Sequence, residues 1–243
     1  MQQYGCCLQQ HMQIPWRQLL FVLPPIKPSA MSQRLLVEHL IEEGYLSTSQ
    51  LTEVMLNIQR DDFGGSDSPY NPTNIGNDQT ISAFNVHAMA CEALYPALVR
   101  PNARILDVGC GSGYLTAVFA RLNPSATVYG IDCRPELVQL SRNNLMKAHG
   151  DLLRDARVVL TTFNGTQGYP AGAPYDAIHV GAAAESIPQP LLDQLKEDGL
   201  LVIPIGPRNI LQELVKVTKQ GNHSEKVIQK PLALVRFVPM MNN

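Results

Sequence analysis

The chain has 243 residues, 45% hydrophobic and 16% charged, which is enough apolar side chain for one substantial core and excludes a disordered chain. Lysine and arginine number 19 against 21 aspartates and glutamates, a formal net charge of −2, so no basic footprint is expected for nucleic acid or for an anionic membrane. Cys6, Cys7, Cys91, Cys110 and Cys133 are odd in number and lack the paired CxxC spacing of a zinc site, so we read reduced thiols in a cytoplasmic protein with no metal centre.

Residues 1 to 30 contain no acid, a single tryptophan (Trp16) and the apolar run Leu19-Leu-Phe-Val-Leu23, which is too short to span a membrane and is ended by Pro24 and Pro25. They are expected to form a flexible extension ahead of an alternative start at Met31. From Met31, Leu35, Leu36, His39 and Leu40 lie at helical spacing, and Gly44 is placed as a stop. His39 reads as an ordinary, partly buried helix residue. Ser47-Thr-Ser-Gln50 matches a capping box ahead of a second helix carrying Leu51, Val54, Met55 and Ile58 and ending near Arg60. These helices read as a lid, residues 31 to 100, on a single domain spanning 31 to 243.

Between Asp61 and Gln79, Gly64, Gly65, Pro69, Asn71, Pro72 and Gly76 forbid continuous helix or strand, and a loop of this length inside a compact domain points to function. It leads into Asp78-Gln-Thr-Ile-Ser82 and a helix carrying Val86, Met89, Ala90, Leu94 and Leu98. Ser82 is placed as the N-cap of that helix, and a helix N-terminus with free N–H groups can also receive a carboxylate.

Arg104-Ile-Leu-Asp-Val-Gly-Cys-Gly-Ser-Gly113, followed by Leu115, Val118 and Phe119 at helical spacing, predicts a buried strand joined to a helix by a glycine turn. Gly109, Gly111 and Gly113 let a ligand approach the backbone, and the helix N–H groups point back at the turn. The dinucleotide fingerprint GxGxxG needs glycine where Tyr114 stands, which argues against a nicotinamide-dependent dehydrogenase. Asp107 would repel a pyrophosphate but could hold the ammonium end of an amino-acid-bearing ligand. Cys110 within the turn reads as a small filler rather than a nucleophile. Asp-Val-Gly-Cys-Gly-Ser-Gly resembles the first motif of the class I S-adenosylmethionine methyltransferases. The next strand, Thr127 to Ile131, ends in Asp132, about twenty residues after the glycine turn, where a carboxylate can accept both ribose hydroxyls.

Further on, Leu137, Val138, Leu140 and Leu145 mark a helix, Arg157 to Thr161 a strand, and Phe163 to Gly168 a loop where adenine would lie in a methyltransferase cleft. Tyr175 to Gly181 is a strand in which His179 reads as a hydrogen-bonded core residue rather than a base. A helix over Ile187 to Leu195, a buried strand over Gly199 to Pro204 and a strand pair over Leu211 to Thr218 and Val227 to Val238 complete the pattern. The fold class is therefore α/β: a doubly wound, mostly parallel Rossmann-like sheet with an antiparallel pair at its C-terminal end.

From about Met31 to Pro239 the chain resembles the protein-L-isoaspartate (D-aspartate) O-methyltransferases. The resemblance is carried by Gln79-Thr-Ile-Ser82 with His87, the glycine turn, Gly130-Ile-Asp132 and Pro174-Tyr-Asp-Ala-Ile-His-Val-Gly-Ala-Ala-Ala184. It implies methyl transfer from S-adenosyl-L-methionine, leaving S-adenosyl-L-homocysteine, to the α-carboxylate of L-isoaspartyl residues in damaged proteins and peptides. The methyl ester then collapses to a succinimide, whose hydrolysis returns some normal aspartate. The resemblance implies an active-site role for Ser82, and a cofactor site containing Thr80, Ile81, His87, Ser112, Asp132, Cys133 and Gly165. A monomer with no nucleic-acid or membrane partner is expected. Three departures stand out. Asn164 replaces an acid expected near the adenine amine, though its carbonyl can still accept that hydrogen bond. Asp78 would bring a negative charge near an anionic acceptor, and Phe84 replaces a proline. These changes leave room for a different acceptor or for an inactive cofactor-binding relative.

Overall fold

A computed structural model describes residues 32–65, 71–76, 79–207, 210–221 and 227–241. The expectations for residues 1 to 30, with Cys6, Cys7 and Trp16, and for Asp78 lie outside the described residues.

The first helix, α1 (Gln33–Glu42), starts at Ser32, whose hydroxyl accepts from the Leu35 N–H, and ends ahead of Gly44 at φ +75°. Its buried stripe is Leu36, Val37 and Leu40, so the apolar face is rotated away from the expected one and Leu35 is 50% exposed. The second, α2 (Ser49–Asn57), has no side-chain cap from Thr48. In place of the expected capping box, Glu92 accepts from the Ser47 and Thr48 N–H groups at 2.6 and 2.7 Å and from the Thr48 hydroxyl at 2.8 Å. A carboxylate from a distant helix outcompetes the local motif because it satisfies three donors at once.

The segment expected to be continuous loop contains a 3₁₀ turn (Arg60–Phe63) and a small antiparallel hairpin of β1 (Thr73–Gly76) and β2 (Gln79–Ile81). The glycines that argue against a strand sit at its edges: Gly64 caps the 3₁₀ turn at φ +77° and Gly76 ends β1 at φ +95°. Next comes α3 (Phe84–Leu98), whose N-cap is Ala83 with no side-chain cap bond. Ser82 is therefore not the N-cap. It stands one residue before it, with its hydroxyl released from capping.

The remaining elements are β3 (Arg104–Val108), α4 (Tyr114–Leu122), β4 (Thr127–Asp132), α5 (Pro135–Ala148), α6 (Gly150–Arg154), β5 (Val158–Thr162), β6 (Tyr175–Val180), α7 (Gln189–Gln194), β7 (Leu195–Ile205), β8 (Gln212–Lys219) and β9 (Val227–Val235). They form one seven-stranded sheet in the order β5-β4-β3-β6-β7-β8-β9. Its first five strands are parallel, and β8 and β9 run antiparallel at the end. This is the expected doubly wound sheet with its C-terminal antiparallel pair.

Alternation along β3 divides the sheet's two faces. Ile105 joins a core with α1, α2, α3 and α4, built on Leu36, Leu51, Met55, Leu94 and Phe119. Leu106 and Val108 face the other way, into a core with Ile178, Leu191 and Ile203. The two N-terminal helices thus share the main core rather than resting outside it. No helix among the described residues is long and apolar enough to cross a membrane.

Candidate active site

The glycine turn between β3 and α4 is held by the strand beside it. Gly109 N–H and Cys110 N–H both donate to the Ile131 carbonyl, at 2.8 and 3.0 Å. Gly109, Gly111 and Gly113 all have positive φ, at +73°, +52° and +85°, a region L side chains enter at a cost. Two polar residues of α5 clamp the turn from behind. Ser141 Oγ donates to the Gly111 carbonyl at 2.8 Å, and Asn144 Nδ2 to the Ser112 carbonyl at 3.0 Å. Both are buried, and neither was singled out from sequence, where they are two polar positions on a helix face.

Gly113→Ala is expected to destabilise the fold by about 1–3 kcal/mol, read as a lower urea midpoint at unchanged slope. A Cβ at Gly113 would sit 3.2 Å from Ser141 Cβ and Oγ in addition to the left-handed strain. Wild-type stability in this variant would contradict the packing described.

Above the turn, at the carboxyl ends of β3 and β4, lies a cavity of about 1240 Å³. It is lined by Gly109, Gly111, Asp132, Cys133 and Gly165, and also by Thr80 and Ser82. Asp132 ends β4 and is 7% exposed. Its Oδ2 accepts from Gly111 N–H and its Oδ1 from Arg134 N–H, both at 3.2 Å, so each oxygen keeps a lone pair for an incoming donor. Burial pushes its carboxyl above the usual aspartate range, against those backbone hydrogen bonds.

The other expected site residues stand behind this surface. Asp107 is 1% exposed, with Thr116 Oγ1 donating to Oδ2 at 2.5 Å and His179 Nδ1 donating to Oδ1 at 2.8 Å. The register that pairs Asp107 with His179 across β3 and β6 produces this contact. Asp107 is not among the cavity-lining residues, and both of its oxygens are held in an internal network. His179 is the hydrogen-bonded core residue expected of it.

His87 is also buried. Its Nδ1 accepts from Arg60 Nη1 at 3.1 Å, and its ring stacks on Tyr114 with centroids 5.3 Å apart. Burial, then the Arg60 charge, holds its pKa well below the usual histidine range, so it is neutral. Ile81, Ser112 and Gly113 are not among the cavity-lining residues either, and Asn164 Oδ1 accepts from Thr166 N–H at 3.0 Å and Thr166 Oγ1 at 2.8 Å. The carbonyl expected to meet an adenine amine is thus engaged in shaping its own turn.

Cys110 is a buried filler, its Sγ 3.5 Å from Ser141 Oγ. Burial first, and then Asp107, pushes its thiol well above the usual range, as burial does for Cys91. Both are expected to escape alkylation by iodoacetamide in the folded protein and to react in denaturant, as read by peptide mass spectrometry. Labelling of Cys110 at the rate of a free thiol in the folded protein would restore the nucleophile reading.

The residues present suit a nucleoside. Gly109, Gly111 and Gly165, and the Asp132 carboxylate with its two spare lone pairs, face the same space, as a ribose diol requires. Among the described residues no group of three or more His, Cys, Asp or Glu side chains could hold a metal ion.

A second cavity of about 710 Å³ shares the wall made by Pro72, Thr80 and the segment from Arg236 to Met240.

Residues 31–243 match the family model for protein-L-isoaspartate(D-aspartate) O-methyltransferase. A Triticum aestivum protein-L-isoaspartate O-methyltransferase is 43% identical over 210 residues, 84% of this chain and 89% of that one. Protein-L-isoaspartate O-methyltransferase 1 of Arabidopsis thaliana is 39% identical over 219 residues, 88% of this chain and 93% of that one. Among solved structures, a Plasmodium falciparum chain described as a member of the same family, crystallised with S-adenosyl-L-homocysteine, superposes with a TM-score of 0.78. It is 31% identical, and the match covers 87% of this chain and 99% of that one.

Proposed function

The chain belongs to the protein-L-isoaspartate(D-aspartate) O-methyltransferase family, and from that premise we propose how its cavity is used. The enzyme transfers a methyl group from S-adenosyl-L-methionine to the α-carboxylate of L-isoaspartyl residues in damaged proteins and peptides. One observation carries this reading: a single cavity joins the glycine turn and Asp132 to Ser82.

Bound S-adenosyl-L-methionine supplies a methyl group on a positively charged sulfur. We assign Asp132 to its ribose hydroxyls, Gly109 and Gly111 to close backbone approach, and Cys133, Thr80 and Gly165 to the adjoining walls. Ile81, His87, Asp107, Ser112, Gly113 and Asn164 act through these residues by holding the turns in place.

Ser82 is assigned to the acceptor. Its hydroxyl caps no helix, and the first N–H groups of α3, at Phe84 and Asn85, precede the intrahelical ladder, with Asn85 itself lining the cavity. An isoaspartyl carboxylate is ionised at neutral pH, so no general base is required. The two buried histidines, His87 and His179, agree with this, since neither lines the cavity. What the chain supplies is alignment and exclusion of water, the latter by walls that include Ile75, Val86, Met89, Leu137 and Phe237. The adjoining second cavity leaves room for the polypeptide that carries the damaged residue.

We further propose a monomer in the cytosol, the compartment being supported by the unpaired state of the described cysteines Cys91, Cys110 and Cys133. The deciding experiment is transfer of labelled methyl from S-adenosyl-L-methionine to matched peptides containing isoaspartate or aspartate. Transfer to the isoaspartyl peptide alone is expected. Transfer to neither, with cofactor still bound, would sink the assignment.

A further inference from the structure

Arg60, in the 3₁₀ turn after α2, is fully buried. Its Nη1 donates to His87 Nδ1 at 3.1 Å and its Nη2 to the carbonyl of Ser82. The guanidinium carbon lies 5.0 Å over the ring of Phe84 and 5.5 Å over that of Tyr114, and Nε has no partner. No described residue forms an ion pair with it. Asp61, beside it in the chain, contributes only through space and is itself exposed.

A buried cation held only by neutral dipoles and aromatic faces is an expensive arrangement. Burial draws its pKa down to about 10, which still leaves it charged at neutral pH. Packing alone does not explain it, because an apolar side chain of similar volume would fill the same space between Phe84 and Tyr114 without that cost. The charge is placed directly behind the residue whose other side faces the cavity.

Resting on the reading of Ser82 as the acceptor residue, we propose that Arg60 is the buried counter-charge for the acceptor's carboxylate. It acts through Ser82 and the first turn of α3 without touching the substrate. It holds the Ser82 carbonyl, which fixes the backbone from Ile81 to Ala83. It also holds Nδ1 of His87 as an acceptor, which puts that ring's proton on Nε2. An anion arriving at Ser82 completes a charge pair across a thin layer of protein, where Coulomb attraction is far less screened than in water.

The test compares binding of two matched peptides in the presence of S-adenosyl-L-homocysteine. One carries the isoaspartyl carboxylate, and in the other that carboxylate is a carboxamide. Wild-type protein is expected to prefer the carboxylate. Arg60→Met should reduce that preference by about tenfold or more, through weaker binding of the carboxylate peptide, with affinity for S-adenosyl-L-homocysteine unchanged. Arg60→Lys keeps the charge and should keep the preference within about threefold.

A purely structural role would weaken both peptides together and leave the ratio alone. A Met variant that binds S-adenosyl-L-homocysteine yet discriminates as wild type does would overturn the proposal, and so would a Lys variant that loses the preference as Met does. Should the Met variant fail to bind S-adenosyl-L-homocysteine, Arg60→Gln is read by the same ratio. The ratio comes from binding, so absence of methyl transfer by wild-type protein would count separately, against the functional reading.

Discussion

Replacing Ser82 with alanine is expected to lower kcat on an isoaspartyl peptide by about 10²-fold and to leave affinity for S-adenosyl-L-homocysteine within about twofold. The hydroxyl is not needed to make the nucleophile, which is already an anion, and it caps no helix whose stability would suffer. Its removal should therefore act on alignment alone. The carboxylate keeps the helix N-terminus but loses the group that selects which of its oxygens points along the line of attack. A hydrogen bond much stronger than positioning requires would stabilise the ground-state anion and slow the reaction, so the effect should fall on kcat more than on KM. The outcome that would sink this role is loss of S-adenosyl-L-homocysteine binding in the variant.

Asp132→Asn should produce the complementary result, a cofactor dissociation constant raised about 10- to 100-fold, since asparagine keeps one acceptor oxygen and loses the other, and a hydrogen bond to a charged group is worth about 1.5–3 kcal/mol. Acidity should mimic the substitution. Burial raises the Asp132 carboxyl above its ordinary range, so cofactor affinity in wild-type protein should fall as pH drops through that raised value, at a pH where an exposed aspartate would still be ionised. In Asp132→Asn the same titration should be flat over that window. For folding without cofactor the sign is opposite. A raised carboxyl pKa contributes stability below the unfolded value and loses it as pH rises through the folded one. At neutral pH the unliganded Asn variant should accordingly melt no lower than wild type, by calorimetry. A much lower melting temperature would mean that Asp132 holds the fold rather than the ligand.

The parts of this protein most legible in the sequence are those whose physics is local. An apolar run ended by glycines at alternate positions announces β3 and its turn, and a short apolar strand ending in an acid announces β4 and Asp132. The turn-rich break between two alternating runs announces β8 and β9. Elements decided by distant partners were harder to read. The β1–β2 hairpin exists in a stretch rich in glycine and proline, with Pro72 just ahead of β1 and Gly76 at its end. The capping box before α2 was displaced by Glu92, 44 residues from Thr48 in sequence. Asp107 looks like a ligand contact until β6 brings His179 alongside it. Arg60 sits among ordinary charged residues at the end of a predicted helix, and no periodicity marks it as fully buried. Only assembly of α3 and α4 around it does so.

The order of strands in the sheet has a bearing on how such an enzyme can diversify. β3, β4 and β5, with the turns that follow them, lie on one side of the seam between β3 and β6, while β7, β8, β9 and the segment after them lie on the other. Both halves reach the same cavity, but they are separate stretches of chain. Substitutions at the cavity-lining positions of 211–221 and 227–241, away from core residues such as Leu214 and Val235 and from Met241, which meets Arg134, would therefore remodel the wall an acceptor polypeptide would meet while leaving Gly109, Gly111 and Asp132 in place. Heritable change in acceptor preference is thereby uncoupled from the inheritance of the methyl donor, and swapping that C-terminal stretch between relatives should carry over the former and leave the latter where it was.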